Sequence, residues 1–362
     1  MRRILLLCIS TIIYLSSNAQ QLKKSADSLR IAGEIPELSY AILTSDSVIV
    51  SRVIGFHKST LKSDDTRALP EDYFHLGSNT KAITGYIAGY LVEQNKISWS
   101  AKLFALFPEW KSAANPAFYD VTLADLLSHR ARIQPYTSGT EFQLLPKFTG
   151  SKSDRRKEFA LFLLHNNPLE KNAKSYNYSN AGYSIAACML EQASGKTWEE
   201  LVDEVLNKKL GLHYMFGWPN KSATNQPWGH WMENDKFVPV PGNTDYNLNL
   251  IEPAGDISMP IADYVKFIQS NLAGLTGKPG FLKPQTIQYL HYGHPEYAIG
   301  WLNTNSAQKH SSEHAGSAGT FYCYTLINKD KNLAYVIMAN SATDKALDSI
   351  FKLLEKMVRS AE

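Results

Sequence analysis

The sequence predicts an α+β fold, in which an antiparallel sheet flanked by N- and C-terminal helices is interrupted by a large, mainly helical insertion. Three observations support this fold class. Two pairs of β-rich segments, each joined by a polar turn, lie near the two ends of the chain. Apolar residues at helical spacing lie outside both pairs, and the segments between the pairs are mostly helical in pattern.

Two hairpins supply the predicted sheet. Near the N-terminus, segments 38–43 and 48–54 are rich in β-forming residues and flank a Thr/Ser/Asp turn. Near the C-terminus, segments 321–327 and 333–338 flank a second polar turn at 328–332. We expect the strands from both ends of the chain to join in one sheet.

A helix at each terminus flanks these strands. The first carries Leu22, Ala26 and Leu29 on one face and ends at Gly33. The last is amphipathic, and its apolar face consists of Leu347, Ile350, Phe351, Leu354, Met357 and Val358.

We expect two domains with the active site at their junction. Residues 20–96 and 297–362 form an α/β domain, and residues 97–296 form a mainly helical domain. Two long loops of the helical domain, 135–153 and 218–253, are candidate walls of a substrate cleft. Their aromatic residues either line that cleft or pack on the core: Tyr136, Phe142, Trp218, Trp228 and Trp231.

Residues 1–19 have the three parts of a cleavable signal peptide. Arg2 and Arg3 precede an apolar run at 4–15, and a Ser-x-Ala processing site follows. Cleavage after Ala19 predicts a periplasmic or secreted protein. The alternative is an uncleaved anchor, but the run is shorter than the roughly 20 apolar residues that span a bilayer, so we expect no stable membrane insertion.

Charge and cysteine content exclude some classes of function. The formal net charge of +3 falls to +1 when two arginines leave with residues 1–19, which gives no electrostatic basis for binding nucleic acid. Cys188 and Cys323 lie in apolar segments typical of buried thiols, and their spacing is not that of a metal site. A disulfide between them and the oligomeric state both stay open.

The first candidate motif is Ser78-x-x-Lys81. Ser-x-x-Lys occurs four times in the chain, but this copy begins a long helix that is apolar almost all round. Residues three apart share a helix face, so the amine can reach the hydroxyl. Burial lowers the pKa of a lysine, and a neutral amine can accept the serine proton. The alternative is a helix N-cap beside a solvated lysine.

The second motif is Tyr178-Ser179-Asn180, the one Tyr-x-Asn among 19 tyrosines, at the start of a predicted helix. A tyrosine near a lysine can relay a proton, and an asparagine amide can hold both a lysine and a substrate carbonyl. Helix capping by Ser179 or Asn180 is the alternative.

The third motif, His314-Ala315-Gly316-Ser317, leads into the C-terminal hairpin. Small residues on an edge strand leave room for an extended substrate to pair with the backbone, and a free amide there can stabilise an oxyanion. His314 could then bind a substrate carboxylate or join a proton relay, with a charge that varies near neutral pH. The alternative is a turn histidine before a glycine bulge.

In this order and on these elements, the three motifs resemble those of the penicillin-recognising serine hydrolases. The resemblance is closest to the class C β-lactamase-like group, which includes D-alanyl-D-alanine carboxypeptidases, D-aminopeptidases and esterases. It covers nearly the whole chain after residue 19, because similar segments occur at 74–81, 123–129, 178–183, 253–258 and 299–301.

The resemblance implies an exported serine hydrolase that cleaves an amide or ester through an acyl-enzyme on Ser78. The acyl donor would be a D-amino acid peptide, an ester or a β-lactam, a small molecule or short peptide, and no cofactor or metal is implied. It further implies these roles: Ser78 as nucleophile, Lys81 as its activating partner, Tyr178 as base or relay, Asn180 and His314 in substrate binding, and Gly316 and Ser317 at an oxyanion hole formed by the amides of Ser78 and Ser317.

Two departures from the family pattern bear on the substrate. His314 stands where many β-lactamases have lysine. Histidine at this position is shared with the peptidase and esterase branches of the family. Arg130-Ala131-Arg132 replaces the usual Thr-Ser-Gly, and these arginines either attract an acidic substrate group or form structural ion pairs.

Two other functions are consistent with parts of the sequence. One is a stalled sensor of the same fold that is acylated by a β-lactam or peptide and does not turn over. The other is a zinc peptidase that uses His310, Glu313 and His314, which match the His-x-x-Glu-His pattern. That pattern needs a helix to bring both histidines to one metal, and no helical apolar period surrounds it here.

Overall fold

A six-stranded antiparallel sheet forms the centre of the fold. Its strands are β1 (Glu37–Leu43), β2 (Val48–Gly55), and, from the C-terminal part, β8 (Leu302–Asn305), β9 (His310–Ser317), β10 (Tyr322–Asn328) and β11 (Leu333–Ala339). The strand order is β2-β1-β11-β10-β9-β8, and β1 pairs with β11 in the register Leu38 to Ala339. Both predicted hairpins and their union in one sheet are confirmed.

The computed structural model describes residues 20–60, 63, 66–170, 172, 174–223 and 225–361. The predicted signal peptide, residues 1–19, lies outside them. None of the helices found in these ranges combines the length and the apolar character needed to cross a bilayer.

Thirteen helical segments are described, and short turns of other helix types connect some of them. The helices are α1 (20–32), α2 (Thr80–Glu93), α3 (Leu103–Leu106), α4 (Leu123–Leu127), α5 (Gly139–Phe142), α6 (Lys152–His165), α7 (Asn180–Ser194), α8 (Trp198–Val202), α9 (Pro219–Ser222), α10 (Glu252–Gly255), α11 (Ile261–Leu275), α12 (Pro284–Tyr292) and α13 (Asp344–Ala361). The connecting turns are 3-10 at Gly77–Asn79, Pro108–Trp110 and Pro116–Phe118, and π-helical at Asp203–Lys209.

The remaining strands lie between α2 and α12. A three-stranded sheet has the order β3 (Tyr73–His75), β7 (Ile257–Pro260), β4 (Met215–Phe216), and β5 (His230–Glu233) pairs with β6 (Lys236–Pro239). The predicted loop over 218–253 therefore contains a hairpin that the sequence did not predict. Since β3 pairs with β7, backbone hydrogen bonds join segments that the predicted boundary at 96/97 separates. The division into two domains stays a prediction.

The main sheet is buried on both faces, which is why β1 is buried at every position. Alternate residues of β1 belong to two apolar clusters. Leu38, Tyr40 and Ile42 face the terminal helices, where they pack with Leu22, Ala26, Ile350, Leu353 and Met357. Ala41 and Leu43 face the helical layer that contains α2 and α7. The predicted α+β arrangement of a sheet with flanking terminal helices is confirmed.

One residue of the predicted C-terminal face is misplaced. Phe351 is 42% exposed, whereas Leu353 is fully buried. The Phe351 ring lies 5.3 Å from the Tyr324 ring of β10. Eighteen residues at 3.6 per turn allow several apolar stripes, and the position of the sheet selects the one through Ile350, Leu353 and Met357.

Both described cysteines are buried free thiols. Cys323 Sγ accepts a hydrogen bond from Asn79 Nδ2 at 2.8 Å, and burial raises the pKa of each thiol to about 12. They act as small apolar residues of the core, and they form no disulfide.

Candidate active site

Ser78 lies at the entry to a long, almost fully buried helix. It occupies the middle of the 3-10 turn Gly77–Asn79, which continues directly into α2. Residues 80–91 of α2 are all buried, so the predicted apolar helix is confirmed. Ser78 itself is half-buried and faces a cleft.

The turn that carries Ser78 packs directly against the backbone of β9. Gly77 has φ +51°, a conformation that favours glycine, and a Cβ there would lie 2.4 Å from Ser317 N. A Cβ on Gly316 would lie 2.0 Å from Leu76 O and 2.8 Å from the amide nitrogens of Ser78 and Asn79. Glycine at both positions therefore lets the two backbones approach.

β9 presents a free edge beside this turn. β8 pairs only with residues 310–313 of β9, and within the described chain no strand covers 314–317 on that side. Ser317 is exposed there and lines the cleft, whereas Gly316 is buried under the turn. The geometry has the features expected of an edge that can receive an extended substrate.

Lys81 is fully buried one turn after Ser78, and its amine has three neighbours. Nζ lies 3.1 Å from Ser78 Oγ, 2.7 Å from Asn180 Oδ1 and 2.9 Å from the carbonyl oxygen of Ala254 on α10. Burial lowers the pKa of Lys81 well below its ordinary value.

These contacts fit a neutral amine. The two shorter ones go to oxygens that can only accept, which matches the two N–H groups of an NH₂. The longest goes to the Ser78 hydroxyl, which can donate its proton to the nitrogen lone pair. Lys81 is thus placed to act as the base.

Tyr178 contacts Ser78 from the other side. Its hydroxyl donates to Ser78 Oγ at 2.7 Å, and Lys81 Nζ lies 4.7 Å from the centre of its ring. Burial raises the pKa of Tyr178 above its ordinary value, which disfavours a phenolate. Of the two roles expected for Tyr178, proton relay fits this environment better than general base.

Asn180 is the first residue of α7 and links three elements. Its Oδ1 accepts from Lys81, and its Nδ2 donates to the carbonyl of Tyr136 at 2.9 Å. The helix N-cap is Ser179, whose hydroxyl accepts from the amide of Gly182. Because Ser179 performs the capping, the Asn180 side chain is available to the site.

His314 is buried, and both of its ring nitrogens are occupied. Nδ1 donates to the carbonyl of Ala315 at 2.8 Å, so Nε2 accepts from Tyr297 OH at 2.9 Å. Burial lowers the pKa of His314 to about 3. The expectation of a charge that varies near neutral pH was therefore wrong, since this imidazole is neutral there. Its role in substrate binding stays a prediction.

His129 is a residue of the site that the sequence did not single out. It is buried with φ +61°, and its ring centroid lies 4.4 Å from that of Tyr178 and 4.5 Å from that of Tyr297. Its Nδ1 accepts from the amide of Ser179 at 3.0 Å. The signal was present in the segment 123–129, where a histidine ends an apolar helix, but pairing it with Tyr178 requires the tertiary structure.

Arg130 and Arg132 lie outside the cleft. Arg130 donates to the carbonyls of Ser128, Pro295 and Tyr297, and Arg132 donates to that of Leu169. Each guanidinium therefore holds loops together. The alternative of a structural role is the one observed, but the partners of both arginines are backbone carbonyls and not the carboxylates of ion pairs.

The cleft beside Ser78 has a volume of about 720 Å³. Ser78, Asn180 and Ser317 line it, and much of the remaining lining comes from the two loops that the sequence indicated. Of the five aromatic residues proposed for these walls, Tyr136 and Phe142 line the cleft. Trp218 is buried, and it stacks on His75 and donates to Thr320 Oγ1.

The zinc alternative loses its geometric basis. His310, Glu313 and His314 lie on β9, where residues four apart are separated by roughly 13 Å at about 3.3 Å per residue. His310 pairs with Asp330, Glu313 accepts from Tyr324, and His314 pairs with Tyr297. These three side chains therefore do not converge on one point.

A sequence model of the beta-lactamase family matches residues 17–354. The chain belongs to the beta-lactamase family. This family's fold is the one described above, and the predicted resemblance is confirmed.

The named relatives of this chain share a low sequence identity with it. It is 22% identical to protein flp of Staphylococcus aureus strain N315 over 90% of its own length, and 22% identical to the putative penicillin-binding protein PbpX of Bacillus subtilis strain 168 over 70%. It spans 64% and 61% of those relatives, which is less than two thirds of their lengths.

Solved structures show the same fold. The crystal structure of SurE superposes with a TM-score of 0.77 at 18% identity, over 95% of this chain and 76% of SurE. The octameric penicillin-binding protein homologue from Pyrococcus abyssi superposes with a TM-score of 0.69 at 17% identity, over 89% and 73%.

Proposed function

We propose that this protein is an exported serine hydrolase that cleaves an amide or ester through an acyl-enzyme on Ser78. One observation carries the proposal: Ser78 Oγ lies within hydrogen-bond distance of both the buried Lys81 amine and the Tyr178 hydroxyl, at the base of a cleft. Family membership and the fold support it. Export rests on the predicted signal peptide.

In the proposed first step, neutral Lys81 accepts the Ser78 proton while Oγ attacks the substrate carbonyl carbon. The negative charge that develops on the carbonyl oxygen is stabilised by the amides of Ser78 and Ser317, which the Gly77 and Gly316 contacts hold close together. The C–N or C–O bond then breaks. Tyr178 donates its proton to the leaving group and regains one from the Lys81 ammonium.

In the second step, water attacks the acyl-enzyme. The same two groups remove its proton and return one to Ser78 Oγ, which releases the acid and restores the starting state. No cofactor takes part in this scheme. The substrate is a small molecule or short peptide, and the acyl donor is a D-amino acid peptide, an ester or a β-lactam.

A substrate panel tests the proposal. It contains a short-chain aryl ester, a D-Ala-D-Ala peptide, a D-amino acid amide and a chromogenic cephalosporin, each assayed with the wild type and Ser78→Ala. We expect turnover of at least one substrate and loss of about 10³-fold or more in Ser78→Ala. Activity that survives in Ser78→Ala contradicts the mechanism.

Mass spectrometry separates the hydrolase from the stalled sensor. A transient adduct on Ser78 that decays with product release supports the hydrolase. A stable adduct without product release, for every substrate that acylates, supports the sensor.

A further inference from the structure

Arg155 of α6 is a half-buried cation in the wall of the Ser78 cleft. The rest of the lining is apolar or uncharged, apart from Asp245, which is exposed on the loop 218–253. The two do not form an ion pair. The cleft-lining residues that precede Arg155 most closely in the sequence are apolar: Leu145, Pro146 and Phe148.

Arg155 differs from every other arginine within the described ranges. Each of the others has a hydrogen bond, an ion pair or a ring contact: Arg30, Arg52, Arg67, Arg130, Arg132, Arg156 and Arg359. The neighbouring Arg156 is fully buried and contacts the carboxylates of Glu191, Glu199 and Glu252. The Arg155 guanidinium has no such partner among the described residues. A cation that is partly removed from water gains most from an anionic ligand.

The helix that carries Arg155 packs beside the residues around Ser78. Arg155 lies one helical turn before Phe159, whose ring centroid is 5.0 Å from that of Tyr136. The carbonyl of Tyr136 accepts from Asn180, which in turn accepts from Lys81. The helix α6, which carries Arg155, is therefore linked to Asn180 through Phe159 and Tyr136.

The part of the substrate that reaches this wall follows from the proposed mechanism. Ser78, Asn180 and Ser317 line the cleft, whereas Tyr178, which protonates the leaving group, is not among the lining residues. If Tyr178 protonates the leaving group, as proposed, the part of the substrate that enters this cleft is the acyl part.

We propose that Arg155 binds an anionic group at the far end of the acyl part, so that the substrate class is acyl donors with an apolar chain ending in a carboxylate. This inference rests on the proposed function of Ser78. It also moves the expected acid-binding role from Arg130 and Arg132, which hold loops, to an arginine that lines the cleft.

The test compares 4-nitrophenyl hexanoate with the mono-4-nitrophenyl ester of adipic acid, which has the same six-carbon chain with a terminal carboxylate. Ester pairs with four and five acyl carbons test shorter distances between the ester carbonyl and the terminal carboxylate. We expect wild type to prefer the acidic member of at least one pair in kcat/KM. In Arg155→Gln that preference falls about tenfold or more, while kcat/KM for the neutral ester changes less than about threefold.

Two control variants separate contact from general charge. Lys157→Gln removes the same charge from a half-buried site of α6 that does not line the cleft, and it should leave the preference unchanged. Arg155→Lys keeps the charge and should retain a larger share of the preference than Arg155→Gln does. If Lys157→Gln and Arg155→Gln lose the preference for the acidic ester equally, a direct contact between Arg155 and the carboxylate is contradicted.

Binding without turnover tests the inference independently. The unreactive amides adipamic acid and hexanamide are titrated by calorimetry into Ser78→Ala, with and without Arg155→Gln. Tighter binding of adipamic acid that disappears with Arg155→Gln supports the subsite. Equal binding of the two amides, or no binding of either, overturns it.

The outcomes distinguish the two proposals. If neither ester acylates Ser78, the substrate panel decides about the hydrolase, and the calorimetry alone decides about Arg155. If the neutral ester is hydrolysed through Ser78 and the acidic one is not preferred, the hydrolase stands and the subsite is overturned.

Discussion

At the residue scale, the site depends on how burial changes the proton affinity of Lys81. A solvated lysine is an ammonium at neutral pH and cannot accept the serine proton. Full burial lowers the pKa of Lys81, and a neutral amine that donates to its two pure acceptors can direct its lone pair to Ser78. The sequence indicated this residue, and its burial in the structure supplies the reason for the lowered pKa.

The pH dependence of acylation follows from this state. Because the proposed mechanism requires the neutral amine, we expect kcat/KM to fall as pH decreases through the pKa of Lys81. Since that pKa is lowered, we expect the acidic limb well below pH 10. A pH–rate profile with the preferred substrate measures it. A rate that rises only in the ordinary lysine range would contradict the assignment.

A second buried group is outside the site. Glu37 of β1 is fully buried, and neither of its carboxylate oxygens has a hydrogen-bond partner in the described ranges. Burial, and then the negative charge of Asp72, raise the pKa of Glu37 well above its ordinary value. Asp72 itself contacts His57, with 3.0 Å between Oδ2 and Nε2.

Glu37 should therefore make stability depend on pH. Its folded pKa is raised, so the folded state holds a proton that the unfolded state loses above about pH 4.3. The free energy of unfolding then decreases as pH rises, by at most about 1.4 kcal/mol per pH unit from this group. We expect the stability of Glu37→Gln relative to wild type to increase from pH 4.5 to 8 in urea titrations. A difference that does not change with pH would refute this.

At the element scale, β9 and the Ser78 turn fit together because both lack a Cβ where they touch. Gly316 was expected at the oxyanion hole. Its contacts show in addition that it sets the distance between the strand and the nucleophile turn. The sequence indicates the glycine, but only the packing shows which backbone it faces.

Gly316→Ala should displace Ser78. The new Cβ would lie 2.0 Å from a backbone carbonyl that cannot move without the turn, so we expect a loss of about 10²-fold or more in kcat. Gly280→Ala is the matched control, because the nearest neighbour of its Cβ is 3.7 Å away. Steady-state kinetics and thermal unfolding of both variants separate a local effect from unfolding. Full activity in Gly316→Ala would contradict this prediction, because it would show that the turn can move to accommodate the new Cβ.

At the scale of the whole molecule, the sheet joins the two ends of the chain and brings distant motifs together. β1 pairs with β11, and β9 then lies against the Ser78 turn, while the start of α7 brings Asn180, with Tyr178 two residues before it, from the helical part. The terminal helices cover the opposite face of this sheet. The stability of the site therefore depends on residues that do not touch it.

The corrected face of α13 gives a test of that dependence. Leu353→Ala empties a fully buried position against the sheet and should lower the free energy of unfolding by about 2–5 kcal/mol. Phe351→Ala removes a larger side chain that is 42% exposed, and it should cost less. Chemical denaturation of both variants measures the difference. A larger loss for Phe351→Ala would favour the helix orientation that the apolar pattern suggested.

The sequence by itself determined the fold class and the two terminal hairpins with their flanking helices, and it indicated Ser78, Lys81, Tyr178 and Asn180 as candidate site residues. The elements follow from periodicity, which is a local property, and the candidates follow from motifs that resemble those of the family. Only the tertiary structure decided the burial of His314, the position of His129 beside Tyr178, the exposed position of Phe351, and which arginine lines the cleft. Each of these depends on burial and on partners that lie far away in sequence, and spacing along one chain carries no information about which distant group removes water from a side chain.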